Sequence, residues 1–189
     1  LSLLDPTDLR GIPFFDSKDN SAVWAKASFL PDGTIKEGIL FLDELNTAAP
    51  MVQASAYQLI LDRKIGEYTL PDGWAIVAAG NRESDRGVVF RMASPLANRF
   101  VHLEMEVDLD VWQTWAKKAH IDPTIIAFTS YRPDALFAFS TQNDSKAFAT
   151  PRTWEYVNEI LASMPDDDLL LNMISGAIGQ DLAAAFLGF

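Results

Sequence analysis

A short apolar run that ends in two adjacent carboxylates places the strongest constraint on how this chain folds. In the stretch GILFLDELN, residues 38–46, four apolar residues are followed by Asp43 and Glu44. An apolar run of this length is typical of a strand that is buried on both faces, as in a parallel sheet. Two buried and unpaired carboxylates would cost free energy. We therefore expect a bound group, such as a cation or an ordered water, at the end of this strand.

Similar apolar runs meet polar residues elsewhere in the first half of the chain. LSLL (residues 1–4) precedes an acidic turn, WAIVAA (74–79) precedes Gly80 and Asn81, and FVHLEM (100–105) follows a polar pair. These runs, with helical or loop material between them, predict an α/β fold with a parallel sheet. Ligands of such sheets bind beyond the carboxyl ends of the strands.

The segments between the runs carry their own signals. Residues 49–63 have the apolar spacing of an amphipathic helix. The residues that share its apolar face are Val52, Ala56, Leu59 and Ile60. Residues 64–73 alternate around Gly66 and predict a hairpin, and the turn-rich residues 11–37 predict a loop or an irregular hairpin.

The second half of the chain is predicted to be helical. Thr150 and Pro151 form a helix start signal, a capping residue followed by a proline at the first helical position. The predicted helical segments are 108–121, 123–131, 150–164, 166–178 and 180–189. We expect two domains, an α/β domain over residues 1–107 and a helical domain over 108–189. The aromatic residues expected in the core of the helical domain are Trp112, Trp115, Trp154 and Phe186.

Composition narrows the class of protein. The 189 residues are 49% hydrophobic and carry a net charge of −11. The acidic net charge disfavours nucleic acid as a partner, because proteins that bind nucleic acid usually carry a basic patch. The chain has no cysteine, so disulfides and thiolate metal sites are excluded. No apolar run is long enough for a membrane segment and no signal-peptide pattern is present, which indicates a soluble, cytoplasmic protein.

Two neighbouring carboxylates on a strand point to opposite sides and cannot share a proton. Separate roles for Asp43 and Glu44 are therefore a better interpretation than a pair of carboxylates that share one proton. A carboxylate at a strand end is a suitable Mg²⁺ ligand, often through water, and a second one can polarise a water for attack. Asn81 is suited to orient that water. The alternative is that Asp43 caps the next helix and Glu44 is a solvated strand end, and this stretch by itself favours neither interpretation.

Four motifs in the same order and spacing resemble those of AAA+ ATPases. GILFLDELNTA resembles the Walker B segment, VAAGNRESDRG the sensor 1 strand, SPLANRF the arginine-finger segment and TPRTWEYV the start of the sensor 2 helix in the lid. The stretches LLDPTDLRG and LDELNTAAPMVQASAYQLILDRKIGEY, with a hairpin before the sensor 1 strand, are most similar to the MoxR group. The resemblance covers essentially the whole chain.

This resemblance implies a role for five residues. Asp43 would hold Mg²⁺, Glu44 would be the catalytic base, and Asn81 would be sensor 1. Arg99 would act as a finger in the site of the next subunit, and Arg152 would reach the γ-phosphate as sensor 2. Guanidinium groups suit these roles because charge spreads over the γ-phosphoryl oxygens in the transition state.

Alternatives remain open for the arginines. Arg91 is a rival for the role of the finger. Arg99 could instead form a surface salt bridge, and Arg152 could be a solvated residue in the first turn of its helix, a position that disfavours a cation.

One part of the family pattern is missing. No G-x-x-x-x-G-K-[ST] loop occurs in the 189 residues, although this loop and its lysine hold the β- and γ-phosphates. The resemblance implies that the loop, together with the central strand of the sheet, precedes Leu1. We therefore expect this chain to be a fragment of a longer protein and to hydrolyse ATP poorly or not at all by itself.

The resemblance implies that the parent protein is an ATP-hydrolysing, chaperone-like remodelling ATPase that uses ATP and Mg²⁺. It also implies a ring, such as a hexamer, and a client protein or complex, in some cases one with a von Willebrand A-type domain. The alternative is a non-hydrolysing AAA-like scaffold that serves assembly only. DNA translocation by an AAA+ motor is disfavoured by the acidic net charge.

Overall fold

The computed structural model describes residues 1–82, 89–139 and 146–189. The chain forms two compact units, residues 1–102 and 103–189. The first unit contains both helices and strands, and the second is helical in its described part. The chain is thus of mixed α/β class. The interpretation of the two parts as an AAA+ core and its lid stays a prediction.

The first unit alternates short helices with short strands. In chain order its elements are α1 (Pro6–Arg10), β1 (Ile12–Asp16), β2 (Ser21–Ala25), β3 (Gly38–Leu42), α2 (Pro50–Asp62), β4 (Lys64–Ile65), β5 (Tyr68–Thr69), β6 (Trp74–Ala78) and α3 (Ser94–Ala97).

The parallel part of the unit is the pair β3 and β6. The two strands pair in register from Gly38 opposite Trp74 to Leu42 opposite Ala78. The connection between them contains α2, as parallel strands require a long crossover. A Cβ atom at position 38 would lie 2.8 Å from the Trp74 ring, so glycine at this position makes room for the indole of the opposite strand.

The core of the first unit covers one face of β3. Leu40 and Leu42 are buried and pack in one cluster with residues of α2. Three of the four residues predicted to share the apolar face of α2 are buried, and Ile60 packs against the same cluster. Ile39 and Phe41, by contrast, are 64% and 56% exposed. The expectation of a strand buried on both faces is therefore wrong, because in the described part of the chain only one face of β3 is covered.

Two antiparallel hairpins complete the unit. β1 pairs with β2 within the segment predicted as a loop or irregular hairpin, and β4 pairs with β5 as predicted around Gly66. Gly66 has a φ of 56°, a left-handed conformation that glycine adopts without strain.

Two strands suggested by the apolar runs do not form. Residues 1–4 contain a turn, and residues 100–105 are irregular. Val101, Leu103 and Met105 alternate with polar residues, yet each is close to 90% exposed (89%, 88% and 90%). A strand needs a neighbour for its backbone hydrogen bonds. No strand among the described residues pairs with this segment.

The second unit contains five α-helices in its described part. They are α4 (Leu109–Lys118), α5 (Pro123–Tyr131), α6 (Pro151–Ala162), α7 (Asp167–Ile178) and α8 (Gln180–Leu187), with a 3₁₀ turn at Pro133–Ala135. The Thr150 hydroxyl accepts a hydrogen bond from the Thr153 N–H at 3.1 Å, which confirms Thr150 as the cap of α6.

Aromatic residues form the centre of this helical core. Trp154 is fully buried, and its ring lies against Phe128 and Phe186 at centroid distances of 5.8 and 5.4 Å. Trp112 is also buried, so three of the four predicted core aromatics are confirmed. The fourth, Trp115, is 41% exposed and was predicted wrongly. Within the described ranges, no helix has both the length and the apolar character needed to cross a membrane.

Candidate functional site at the ends of β3 and β6

The carboxyl ends of β3 and β6 lie side by side. Beyond the last pair of the ladder, the Ala79 N–H donates to the Leu42 carbonyl at 3.0 Å, and the Leu45 N–H donates to the Ala79 carbonyl at 2.9 Å. The turn after β3 therefore stays attached to the segment after β6. As a result Asp43, Glu44 and Asn81, which were predicted to act together, lie at the same edge of the sheet.

Asp43 and Glu44 are both exposed at this edge. The expectation that buried carboxylates require a bound group at the end of the strand is therefore wrong, because neither carboxylate loses its contact with solvent. The Asp43 Oδ1 atom accepts a hydrogen bond from the Glu44 N–H at 2.9 Å. The next helix, α2, begins at Pro50 with Ala49 as its capping position, so the alternative that Asp43 caps that helix is wrong. The other half of that alternative, a solvated Glu44 at the strand end, agrees with the exposure of Glu44.

A magnesium ion fits this carboxylate. Mg²⁺ keeps several waters and takes one or two carboxylates in addition to substrate phosphates. The second oxygen of Asp43 and its exposure leave room for such a hydrated ion. Among the residues that the structure describes, no group of three His, Cys, Asp or Glu side chains could hold a metal. The role of Asp43 as a Mg²⁺ ligand stays a prediction.

Glu44 has an unusual backbone conformation. Its φ is 54°, in the left-handed region that non-glycine residues rarely occupy. Its carbonyl accepts hydrogen bonds from the N–H groups of Thr47 and Ala48, both at 3.2 Å, and from the Thr47 hydroxyl at 3.0 Å. These bonds hold the turn in place. The Glu44 side chain is exposed, and its Oε2 atom accepts a hydrogen bond from the Ser2 hydroxyl.

Asn46 is a residue of this site that the sequence interpretation missed. Its side chain donates a hydrogen bond from Nδ2 to the Asn81 carbonyl at 2.6 Å and accepts one at Oδ1 from the Asn81 N–H at 3.0 Å. The only signal in the sequence was a polar residue two positions after Glu44, which is common in turns. Its partner is 35 residues away in the chain, so no local pattern could show the contact.

The structure separates the two candidate finger arginines. Arg91 lines an open cleft of about 880 Å³ together with Asn46, Asn98 and His102. Arg99 is exposed in the turn that follows α3, where its N–H donates to the Leu96 carbonyl at 3.0 Å, and it is not among the residues that line this cleft. Arg91 therefore lies near the strand ends, whereas Arg99 is exposed outside the cleft. Which of the two is the finger stays a prediction.

Arg152 lies in the second unit. It is the second residue of α6 and is exposed. A cation in the first turn of a helix is unfavourable for the helix dipole, so nothing in the local structure explains the choice of arginine at this position. Its predicted role at a γ-phosphate stays a prediction.

Comparison with family profiles and with curated proteins finds no match for this chain. Among solved structures, the chain is similar to a protein from Cytophaga hutchinsonii ATCC 33406 that is described as a "putative ATPase", with a TM-score of 0.44 and 13% sequence identity. The alignment covers 92% of this chain and 53% of that one, so the chain spans about half the length of its neighbour. At this TM-score the likeness assigns neither a fold family nor an activity to the chain.

Proposed function

We propose that this chain carries the metal-binding and water-activating residues of an ATP-hydrolysing module of the AAA+ type, similar to the MoxR group. One observation supports this proposal above the others. The paired ends of β3 and β6 hold two exposed carboxylates, Asp43 and Glu44, next to the exposed amide residue Asn81. This is the set of groups that hydrolysis of a phosphoanhydride needs on the side of the attacking water.

Each residue has a distinct part in the proposal. Asp43 would hold Mg²⁺, which neutralises charge on the phosphates when it is bound. Glu44 would accept a proton from the attacking water as general base, and the Asn81 amide would orient that water. Arg99 and Arg152 would supply positive charge toward the γ-phosphate, the first from a neighbouring subunit and the second from the lid.

Hydrolysis of ATP also requires groups that hold the β- and γ-phosphates. The 189 residues contain no G-x-x-x-x-G-K-[ST] loop. We propose that a part of the full-length protein outside these residues supplies that loop. The finer features of the MoxR-like resemblance are proposals of the same kind: a ring of subunits such as a hexamer, a remodelling activity, and a client that in some relatives carries a von Willebrand A-type domain.

The absent loop also favours a second candidate function, a scaffold that keeps the fold for assembly and does not hydrolyse ATP. Such a scaffold has no physical need for the carboxylates at the ends of β3 and β6. The two candidates therefore differ in what should happen when Glu44 is changed.

The test uses the full-length protein that the gene encodes. Glu44→Gln should leave ATP binding within about twofold of wild type and lower phosphate release on the order of 10²- to 10⁴-fold, the usual contribution of a general base. Glu37→Gln is the matched control, because Glu37 is an exposed glutamate just before β3, and it should hydrolyse ATP like wild type. Wild-type protein without turnover would support the scaffold, and equal turnover in both variants would remove Glu44 as the base.

A further inference from the structure

The contact between Asn46 and Asn81 has a geometry that fixes a whole peptide group. The Asn46 side chain donates to the Asn81 carbonyl at 2.6 Å and accepts from the Asn81 N–H at 3.0 Å. A side-chain amide that satisfies both backbone groups of one residue repeats the hydrogen-bond pattern of a strand neighbour. The Asn46 side chain therefore extends the hydrogen-bond pattern of the β3–β6 ladder by one more pair of bonds, in which a side chain takes the place of a strand backbone.

Asn46 is itself held firmly. Its carbonyl accepts a hydrogen bond from the Phe90 N–H at 2.8 Å. The preceding residue, Leu45, is only 1% exposed and is part of the core, and its N–H bonds to the Ala79 carbonyl. A side chain on such an anchored backbone can set the position of its partner.

Gly80 makes the contact sterically possible. A Cβ atom at position 80 would lie 2.4 Å from the Asn46 Oδ1 and 2.8 Å from its Cγ, which is closer than real Cβ contacts allow. The side-chain amide thus lies directly against the Gly80 backbone. Glycine at this position permits the approach between the turn after β3 and the segment after β6.

Both hydrogen bonds go to the main chain of Asn81, so they do not use the Asn81 side-chain amide, which stays exposed. The same turn that carries Glu44 therefore carries, two residues later, the group that sets the direction of Asn81. We propose that Asn46 is a positioning residue, which holds Asn81 so that its side chain meets the water activated by Glu44. This inference rests on the proposed hydrolysis of ATP.

A positioning role predicts a specific pattern in the kinetics. Asn46→Ala should lower kcat on the order of 10²-fold, as expected for a misplaced group near the reacting atoms, and leave KM for ATP within about twofold of wild type. Steady-state phosphate release by the full-length protein over a range of ATP concentrations measures both kcat and KM. The matched control is Asn158→Ala, because the Asn158 side chain also binds a backbone group, the Asp122 N–H at 2.7 Å, and this variant should keep the wild-type kcat.

Asn46→Asp is a second variant of nearly the same size, and its effect should depend on pH. A carboxylate can accept from the Asn81 N–H but cannot donate to its carbonyl, whereas a protonated carboxyl restores the donor and acceptor pattern of the amide. The carboxylate oxygen that replaces the Asn46 Nδ2 would face the Asn81 carbonyl oxygen and repel it, so the whole contact, including the bond to the Asn81 N–H, should open near neutral pH. Amide hydrogen exchange at Asn81, followed by NMR, should then be faster than wild type and approach wild type as the pH falls below the pKa of the new carboxyl. The wild-type protein provides the reference rate at each pH.

The outcomes separate this inference from the proposed function. If the wild-type protein turns over ATP and folded Asn46→Ala keeps the wild-type kcat, or changes KM alone, the positioning role is overturned. The ATPase proposal would then still stand. Exchange at Asn81 that is unaffected by Asn46→Asp at every pH would also overturn it. Wild-type protein that does not hydrolyse ATP would overturn both proposals.

Discussion

Leu42 of β3 lies opposite Ala78 of β6 in a parallel ladder, and the hydrogen bonds of Ala79 and Leu45 continue this register past the ends of both strands. A shift of one residue would move every side chain of a strand to the other face. It would also separate Asn46 from the Asn81 backbone. The register therefore decides both which side of β3 enters the core and which polar residues meet at the edge of the sheet.

The left-handed backbone conformation of Glu44 should lower the stability of the first unit. A left-handed backbone costs a non-glycine residue roughly 1 kcal/mol or more, and Glu44 has a φ of 54°. Glu44→Gly should therefore raise the free energy of unfolding of the first unit by up to about 1 kcal/mol, while it removes the proposed base. Native-state hydrogen exchange of the β3 amides measures this change.

The control for this change is Glu37→Gly, since Glu37 is exposed and is not among the residues with positive φ. There glycine only adds freedom to the unfolded chain, and stability should fall by about 0.4–1 kcal/mol. Equal losses in the two variants would show that the turn at Glu44 stores no strain.

In the ring of subunits proposed above, Arg99 should act on a neighbouring subunit. Arg99→Ala subunits and Glu44→Gln subunits should each be inactive alone, because an arginine finger contributes roughly 10³- to 10⁵-fold in rate. Mixed rings should regain activity where an intact Arg99 meets an intact Glu44, and steady-state phosphate release over a series of mixing ratios measures the recovery. Subunits that carry both changes, mixed with Glu44→Gln, provide the control without recovery. If no ratio restores turnover, Arg99 does not act in trans.

Trp154 should contribute to stability through its indole N–H as well as its ring. The buried Nε1 donates to the Ala135 carbonyl at 2.9 Å, so Trp154→Phe should leave that carbonyl unpaired and lower the free energy of unfolding by about 1–3 kcal/mol beyond the loss of ring area. Trp112→Phe is the matched variant, since the buried Trp112 Nε1 has no hydrogen-bond partner among the described residues. Urea unfolding of both variants should show the larger loss for Trp154, and the reverse order would contradict the assignment.

Asp32 should make stability depend on acid pH. Hydrogen bonds from the hydroxyl and N–H of Thr34, at 2.6 and 2.9 Å, lower the pKa of this exposed carboxyl below its usual value. Because the folded pKa lies below the unfolded one, the stabilisation is present above about pH 4 and is lost as the pH falls through the folded pKa. Carbon-detected NMR titration of Asp32 should show the lowered pKa.

The same titration in Thr34→Val should move the Asp32 pKa up, toward its usual value, because the hydroxyl donor is gone. Asp32→Asn should remove this titration and its contribution to the pH dependence of unfolding. An Asp32 pKa that is identical in wild type and Thr34→Val would rule out the hydroxyl as its main cause.

Local patterns predicted local structure well. The apolar face of α2, the hairpin around Gly66 and the cap of α6 all depend on residues within a few positions of one another, and each was found where the sequence placed it. Patterns that depend on a distant partner were less reliable. The alternation of Val101, Leu103 and Met105 is that of a strand, but backbone groups form a strand only when a neighbour pairs with them.

The sequence by itself determined the class of the fold, the helical second half and the identity of the polar residues that end β3 and follow β6. These follow from periodicity, turn residues and caps, which act over short distances along the chain. Only the tertiary structure decided that one face of β3 is left exposed and that Asn46 binds Asn81. Those features arise from contacts between segments that are far apart in sequence, 35 residues in the case of Asn46 and Asn81, and no local preference encodes them.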